Sequence, residues 1–431
     1  MSVYVIDQIM GSYKTTWAIQ YMCKYLSSPD NQNHFIYVTP FLTEVDRIIK
    51  ETAKLGQHFY TPQNNGSGKL HSLKQLIRMN KNISSTHQLF KLYDQETVDL
   101  LAQNHYILIM DEALDVIQPY TFKKDDKMLL MDAKWISVDD SSRVVWHKED
   151  VYAEPETYTG KFTSEQEYDY CGSFEEFRSL AKKGRLYLLD NKCFIVEFSP
   201  DVFQAFKDVY VMTYLFEGSV MKSYFDYNHI EYTKKSIDFS CPENLRLIEY
   251  RPSEVSRYRD LITLYSNDTF KSSAPQKSTV LSKTFFNNSR NNLDFIKQTK
   301  RNMENFYKNI TKSSTSYFMW GSFIDAEKYL SSKNNKNDFV EFNCRATNQY
   351  RNKRDLCYAA NVYPHTYIER FLNLKGTSLN RDLYALCVMI QWVWRSRIRD
   401  GKSIRLYIPA DRMYKIFLDW INTKSETFRF S

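Results

Sequence analysis

The sequence predicts an α/β protein of two tandem parallel-sheet domains, with an insertion in the first. Three observations carry that prediction. Short apolar runs of strand type alternate with segments of helical periodicity from the first residues onward, the pattern of strands joined by crossover helices. At 431 residues the chain is longer than one core ordinarily organises, and two units of roughly 200 residues are expected. Between about residues 118 and 205 the alternation degrades into mixed charged and aromatic segments, which marks the insertion. The expected spans are 1–240 for the first domain, insertion included, and 241–431 for the second.

The elements follow in order. Val3-Tyr4-Val5-Ile6 is an apolar strand, and a helix is expected from Lys14 through Trp17 and Met22 to about Leu26, stopped by Ser27-Ser28-Pro29-Asp30. A strand at Phe35–Val38 ends in Thr39-Pro40, and helical spacing resumes at Leu42, Val45, Ile48 and Ile49. Asn64–Lys69 is a loop by composition, Ser84–Phe90 a strand end turning into a helix, and Tyr106–Met110 a buried-type strand. Within the insertion only Phe174–Lys182 reads clearly as an amphipathic helix, and no separate third core is expected there. The sheet resumes at Val209–Tyr214, and a crossing near Ser236–Arg251 leads into the second half. That half has expected strands at Thr279–Ser282, Tyr317–Trp320, Phe339–Phe342 and Ile404–Ile408.

Hydrophobic residues make up 43% and aromatic residues 16%, enough for a large interior without disulfides. No apolar run of about eighteen residues exists and a strand begins at Val3, so neither a membrane span nor a signal peptide is expected. The seven cysteines are dispersed without a C-x-x-C pair, which reads as reduced thiols in a cytoplasmic protein and not as a zinc site. A net charge of +7 leans mildly towards a polyanionic partner.

Two segments carry chemistry. Gly11-Ser12-Tyr13-Lys14-Thr15-Thr16 joins the first strand to the first helix. A helix N-terminus with unpaired amides, a lysine and a hydroxyl make a phosphate cradle. The amides of Gly11 through Thr15, the Lys14 ammonium and the Thr15 hydroxyl take those roles, the last on magnesium. Glycine is the usual residue before the lysine, and Tyr13 stands there instead, so its ring must point away from the phosphates or the loop must shift. Asp111-Glu112 closes the second segment, with Asp111 suited to hold magnesium and Glu112 to polarise an attacking water. An isolated phosphate-loop match is weak and an acidic pair also caps helices. Together, in this order, they imply binding and hydrolysis of a nucleoside triphosphate.

These residues and several later blocks resemble superfamily 2 helicases and translocases, of the DEAD/DEAH-like type found in bacteriophage replication. Gly11–Thr16 looks like motif I and Asp111-Glu112-Ala113-Leu114 like motif II. Val38-Thr39-Pro40 with Glu44 and Arg47 resembles motif Ia, and Ser85-Thr86-His87 the Thr-His segment after it. Met212-Thr213-Tyr214 takes the place of motif III, Leu281–Thr284 that of motif IV, and Ala346-Thr347-Asn348 resembles motif V. Gln391–Arg399 resembles motif VI, with Trp394 in place of its usual glycine. The resemblance implies two RecA-like domains gripping ATP and Mg2+, with Gln391 facing the triphosphate. It makes Arg395 the first candidate for an arginine finger and Arg399 the second. It also implies nucleic-acid contacts from Thr39, Pro40, Arg47, Thr86, His87, Thr347 and Asn348, for any of which helix capping is an equal alternative. DNA is expected over RNA, with replication proteins as further partners and the host cytoplasm as location for a phage gene. Trp320, Trp392, Trp394 and Tyr350 are either base-stacking or core residues.

Two other readings stay open. A packaging ATPase shares the two motifs, but the acidic residues of the second half (Asp294, Asp325, Asp338, Asp382) show no paired nuclease pattern. A non-hydrolysing, nucleotide-dependent DNA-binding or origin-recognition module is the other, suggested by Tyr13 and by Met212-Thr213-Tyr214.

Overall fold

The structure is a computed structural model describing residues 1–29, 31–64, 66, 68–147, 173–270, 277–343 and 349–423. The chain opens with β1 (Ser2–Asp7), β2 (His34–Thr39), β3 (Phe59–Tyr60), β4 (Asn82–Thr86) and β5 (Tyr106–Asp111). It then leaves the sheet for β6 (Ile117–Tyr120), β7 (Ile136–Val138), β8 (Val144–Trp146), β9 (Leu186–Leu189) and β10 (Cys193–Glu197). It returns with β11 (Asp208–Thr213), β12 (Thr233–Asp238) and β13 (Arg246–Glu249).

The first and last of these groups make one eight-stranded sheet, in the order β13-β12-β1-β11-β5-β2-β4-β3. All its pairings are parallel except β12 with β13. Its sequence is apolar on both faces because both faces are covered. Val3, Val5, Leu108 and Met110 enter one apolar cluster, while Ile6, Ile107 and Ile109 enter the opposite one. On the second face lies α1 (Lys14–Leu26), which buries Trp17, Ala18, Met22 and Cys23 and ends where the Ser27 N–H donates to the Cys23 carbonyl (3.1 Å). Because β11 lies between β1 and β5, the loop after β1 and the carboxylates after β5 flank the end of β11.

A second sheet follows, built from β14 (Ile262–Tyr265), β15 (Phe318–Ser322), β16 (Phe339–Glu341), β17 (Asp355–Tyr358) and β18 (Ile404–Tyr407). It is wholly parallel, in the order β14-β18-β17-β15-β16. Two of its strands, β14 and β17, lie outside the expected set, each being only four residues long. At Thr279–Ser282 the expected strand is absent. Leu281 has φ 59, and the Ser282 hydroxyl accepts from the Phe285 N–H (3.2 Å) to cap a short helix, Lys283–Asn287.

The segment after β5 also differs from expectation. It forms the antiparallel sheet β6-β10-β9 and the hairpin β7-β8, and it has its own apolar cluster around Leu130, Ile136, Trp146, Phe177 and Phe194. Its aromatic residues, scattered in sequence, are brought together by the pairing of these short strands and by the Glu175–Lys182 helix. No described helix is long and apolar enough to cross a membrane.

Candidate nucleotide site

Three strand ends form one rim. The Gln8 N–H donates to the Thr213 carbonyl (3.1 Å) and the Glu112 N–H to the Met212 carbonyl (2.9 Å), which ties the loop after β1 and the carboxylates after β5 to the end of β11. Gly11 (φ +88) and Tyr13 (φ +60) are left-handed, a backbone that curls successive residues into an anion-holding concavity. Tyr13 thus keeps the conformation a glycine would favour, at a cost of about 1–2 kcal/mol for a residue with a Cβ. Its ring turns outward, 47% exposed. Tyr13 gives no side-chain cap to α1, so the helix presents its positive end to the loop. Ser12 is buried and its hydroxyl donates to the Ile9 carbonyl (2.7 Å), while Thr15 is half-buried and Thr16 exposed.

Lys14 folds back on its own loop. Its Nζ donates to the Gln8 carbonyl and to the Ile9 carbonyl (3.2 Å for the latter). Burial pulls its ammonium down to about 8, opposed by Asp111, Asp7 and Glu112 and assisted by Arg399. Asp111 is pushed up to about 7 by burial and by the neighbouring carboxylates Glu112 and Glu44, with Lys14 and Tyr37 pulling the other way. Glu112 has φ 67, and its Oε2 is buried with no hydrogen-bond partner. The rim therefore crowds acidic groups beside one ammonium, and a bound cation would relieve that crowding.

The second half reaches this rim. A Cβ built on Gly11 would lie 3.4 Å from the Arg399 carbonyl and 3.6 Å from its Cγ, so Arg399 packs directly over the loop. Gln391, on the Arg381–Val393 helix, shares a cleft of about 270 Å3 with Glu112 and Thr213. Arg395 lies in the turn after that helix and is 8% exposed. Of the two arginines, it is Arg399 that lies against Gly11. The halves also share apolar packing: Ile9, Tyr214 and Leu215 are buried in the second half's core, and a Cβ on Gly218 would meet the Leu383 carbonyl at 2.7 Å.

The expected nucleic-acid contacts fare differently. Thr39 is fully buried with its hydroxyl unpartnered, and His87 is 5% exposed with Nε2 2.9 Å from the Asp111 carbonyl, so neither side chain reaches a surface. Thr86 Oγ1 accepts from the Leu89 N–H (3.4 Å), the capping alternative. Pro40 is half-buried, and Arg47 pairs with Glu44 (2.6 Å). Thr347 and Asn348 lie outside the described residues. Trp320, Trp392 and Trp394 are core, each at most 1% exposed, and Tyr350 packs against the same core.

Residues 256–421 match the family described as YonV C-terminal Rossmann-like domain, and residues 117–196 the YonV middle domain. Over 432 residues the chain is 33% identical to the SPbeta prophage-derived uncharacterized protein YonV of Bacillus subtilis (strain 168), covering 98% of this chain and 99% of that one. The chain belongs to the YonV family. Among solved structures it is similar to S. tokodaii Xpd4, with a TM-score of 0.52 and 13% identity over 97% of this chain and 94% of that one. A structure of apo XPD gives 0.50 and 11% over 97% and 95%. At such identities the likeness is one of fold.

In this YonV-family chain, residues beyond the motif positions support the loop. Asp7, at the end of β1, is 2% exposed. Its Oδ2 accepts from the Phe216 N–H (3.2 Å) and pairs with Lys234 (3.4 Å), and burial raises its pKa. Gln8 brackets Ile237, accepting from its N–H (2.8 Å) and donating to its carbonyl (3.3 Å). The available signal was two polar residues closing an otherwise apolar strand; their partners, more than two hundred positions away, were not legible.

Proposed function

We propose that this chain is an ATP-dependent nucleic-acid helicase or translocase. The carrying observation is the convergence on one rim of Lys14, Asp111 and Glu112 from the first half with Arg399 and Gln391 from the second. We take the two sheets as two RecA-like units that divide between Glu249 and Ile262. A site assembled from two halves converts nucleotide-driven closure into relative motion of surfaces elsewhere.

The residues fit magnesium nucleotide. Asp111 and Glu112 leave a buried carboxylate oxygen unsatisfied, and Mg2+ takes one or two carboxylates plus phosphate oxygens. Thr15 and Asp111 would hold the ion, which when bound neutralises phosphate charge. Lys14 exchanges the Gln8 and Ile9 carbonyls for the outer phosphates. Glu112 orients the attacking water and takes its proton, and Arg399 stabilises charge on the transferred phosphoryl group.

The fold shared with XPD supports nucleic acid as the track, and the prophage-derived relative supports a role in phage or mobile-element DNA replication or repair. DNA is favoured over RNA, with replication proteins as partners. Steady-state ATP hydrolysis with single-stranded DNA, single-stranded RNA or duplex, and Glu112→Gln as blank, tests the reading. Stimulated turnover absent from the variant is expected. Tight nucleotide binding without turnover under every condition would replace it with the non-hydrolysing module that Tyr13 suggests.

A further inference from the structure

The sequence leaves Tyr13 unexplained. The structure pairs Tyr13 with a second exposed ring. Phe239, just past the end of β12, stacks on it with centroids 6.3 Å apart and planes inclined by 30°, and the rings are 47% (Tyr13) and 42% (Phe239) exposed. The pair lies where the phosphate loop enters α1, two residues along the loop from Gly11, which Arg399 covers.

The two rings are held by the loop itself. Gln8, whose carbonyl receives Lys14, clamps Ile237 through both its amide atoms, two residues before Phe239. β12 pairs with β1 through Tyr4, Val5 and Ile6, which fixes the approach of the second ring to the loop. Tyr13 also remains left-handed at a measurable cost relative to glycine. Strain retained at a binding loop points to a use for the side chain that causes it.

We propose that Tyr13 and Phe239 form the stacking platform for the base of the nucleoside triphosphate whose phosphates occupy the loop. This rests on the nucleotide reading of that loop. The occupant follows from continuity: a base tethered to those phosphates is the aromatic group that must lie beside the loop. A platform of ring faces reads the π-surface of a base and not its hydrogen-bonding edge. The site therefore accepts purine triphosphates with little discrimination among them.

Calorimetric titration of the full chain with Mg·ATP, Mg·GTP and Mg·tripolyphosphate tests the platform. ATP and GTP are expected to bind within about threefold of each other and at least about tenfold tighter than tripolyphosphate, given the usual strength of base–aromatic stacking. Phe239→Ala should weaken both nucleotides about fivefold or more and leave tripolyphosphate unchanged, while Tyr13→Phe, which keeps the ring, should bind both nucleotides as the natural chain does. Tripolyphosphate binding as tightly as ATP, or Phe239→Ala binding ATP as the natural chain does, overturns the platform and leaves the phosphate loop intact. Binding of tripolyphosphate undiminished by Lys14→Ala overturns the loop reading, and the platform with it.

Discussion

The ends of β1 and β5 contrast with those of β2 and β4 in the same sheet. At the first pair, Lys14, Asp111 and Glu112 crowd together, with Lys14 and Asp111 shifted in ionisation and a Glu112 carboxylate oxygen unpartnered. At the second, Thr39 and His87 point into the protein and Thr86 caps a four-residue helix. All four ends carried motif-like residues in the sequence. The difference teaches that a polar residue at a strand's C-terminal end can meet a ligand only where packing leaves it partly open, as Lys14, Asp111 and Glu112 are and the enclosed Thr39 and His87 are not.

Mutation can break this comparison at several levels. Lys14→Ala should abolish Mg·ATP binding measured by calorimetry, the largest effect, and normal turnover in that variant would remove the site assignment. Glu112→Gln should still bind ATP while kcat falls by about 10²–10⁴, the usual worth of a positioned general base. Arg399→Ala should lower kcat by about 10³ with nucleotide affinity nearly unchanged, as for loss of an arginine finger. Arg395→Ala should lower it at least tenfold less, and the reverse order would restore Arg395 to the leading role.

Ionisation sharpens the same contrast. Asp111, raised to about 7, is charged only above that pH, and Lys14, lowered to about 8, is charged only below that one. Mg·ATP affinity should therefore rise through about pH 7 and fall above about pH 8. Asp111→Asn should remove the acid limb; a limb that persists in that variant would assign it to another group.

Smaller effects belong to packing. Gly218→Ala forces a Cβ against the Leu383 carbonyl and should cost about 1–3 kcal/mol of stability in thermal unfolding, as overpacking does. Thr86→Ala should cost about 1 kcal/mol, the worth of a cap, and leave nucleic-acid affinity unchanged. A selective loss of nucleic-acid binding there would return Thr86 to the track.

Much of the fold was legible because its cause is local. The strand Tyr106–Asp111 and the helix Lys14–Leu26 follow from an unbroken apolar run and from helical spacing closed by Ser and Pro. Two short strands, β14 and β17, were not legible, since their stability comes from neighbours in the sheet that are remote in sequence. The apolar cluster of the middle segment was hidden for the same reason: Trp146 and Phe177 meet only when the chain folds.

The sequence by itself determined the chemistry on offer: a lysine and hydroxyl at a helix start, two carboxylates after a buried strand, and arginines late in the chain. Only the tertiary structure decided which of them meet. It placed Arg399 on Gly11, put Gln391 in a cleft with Glu112, and turned Tyr13 outward onto Phe239. It also enclosed His87 behind the strand that carries Asp111. The reason is that residue type and spacing fix which groups a short segment can present, whereas burial and distance between remote segments depend on how whole sheets pack.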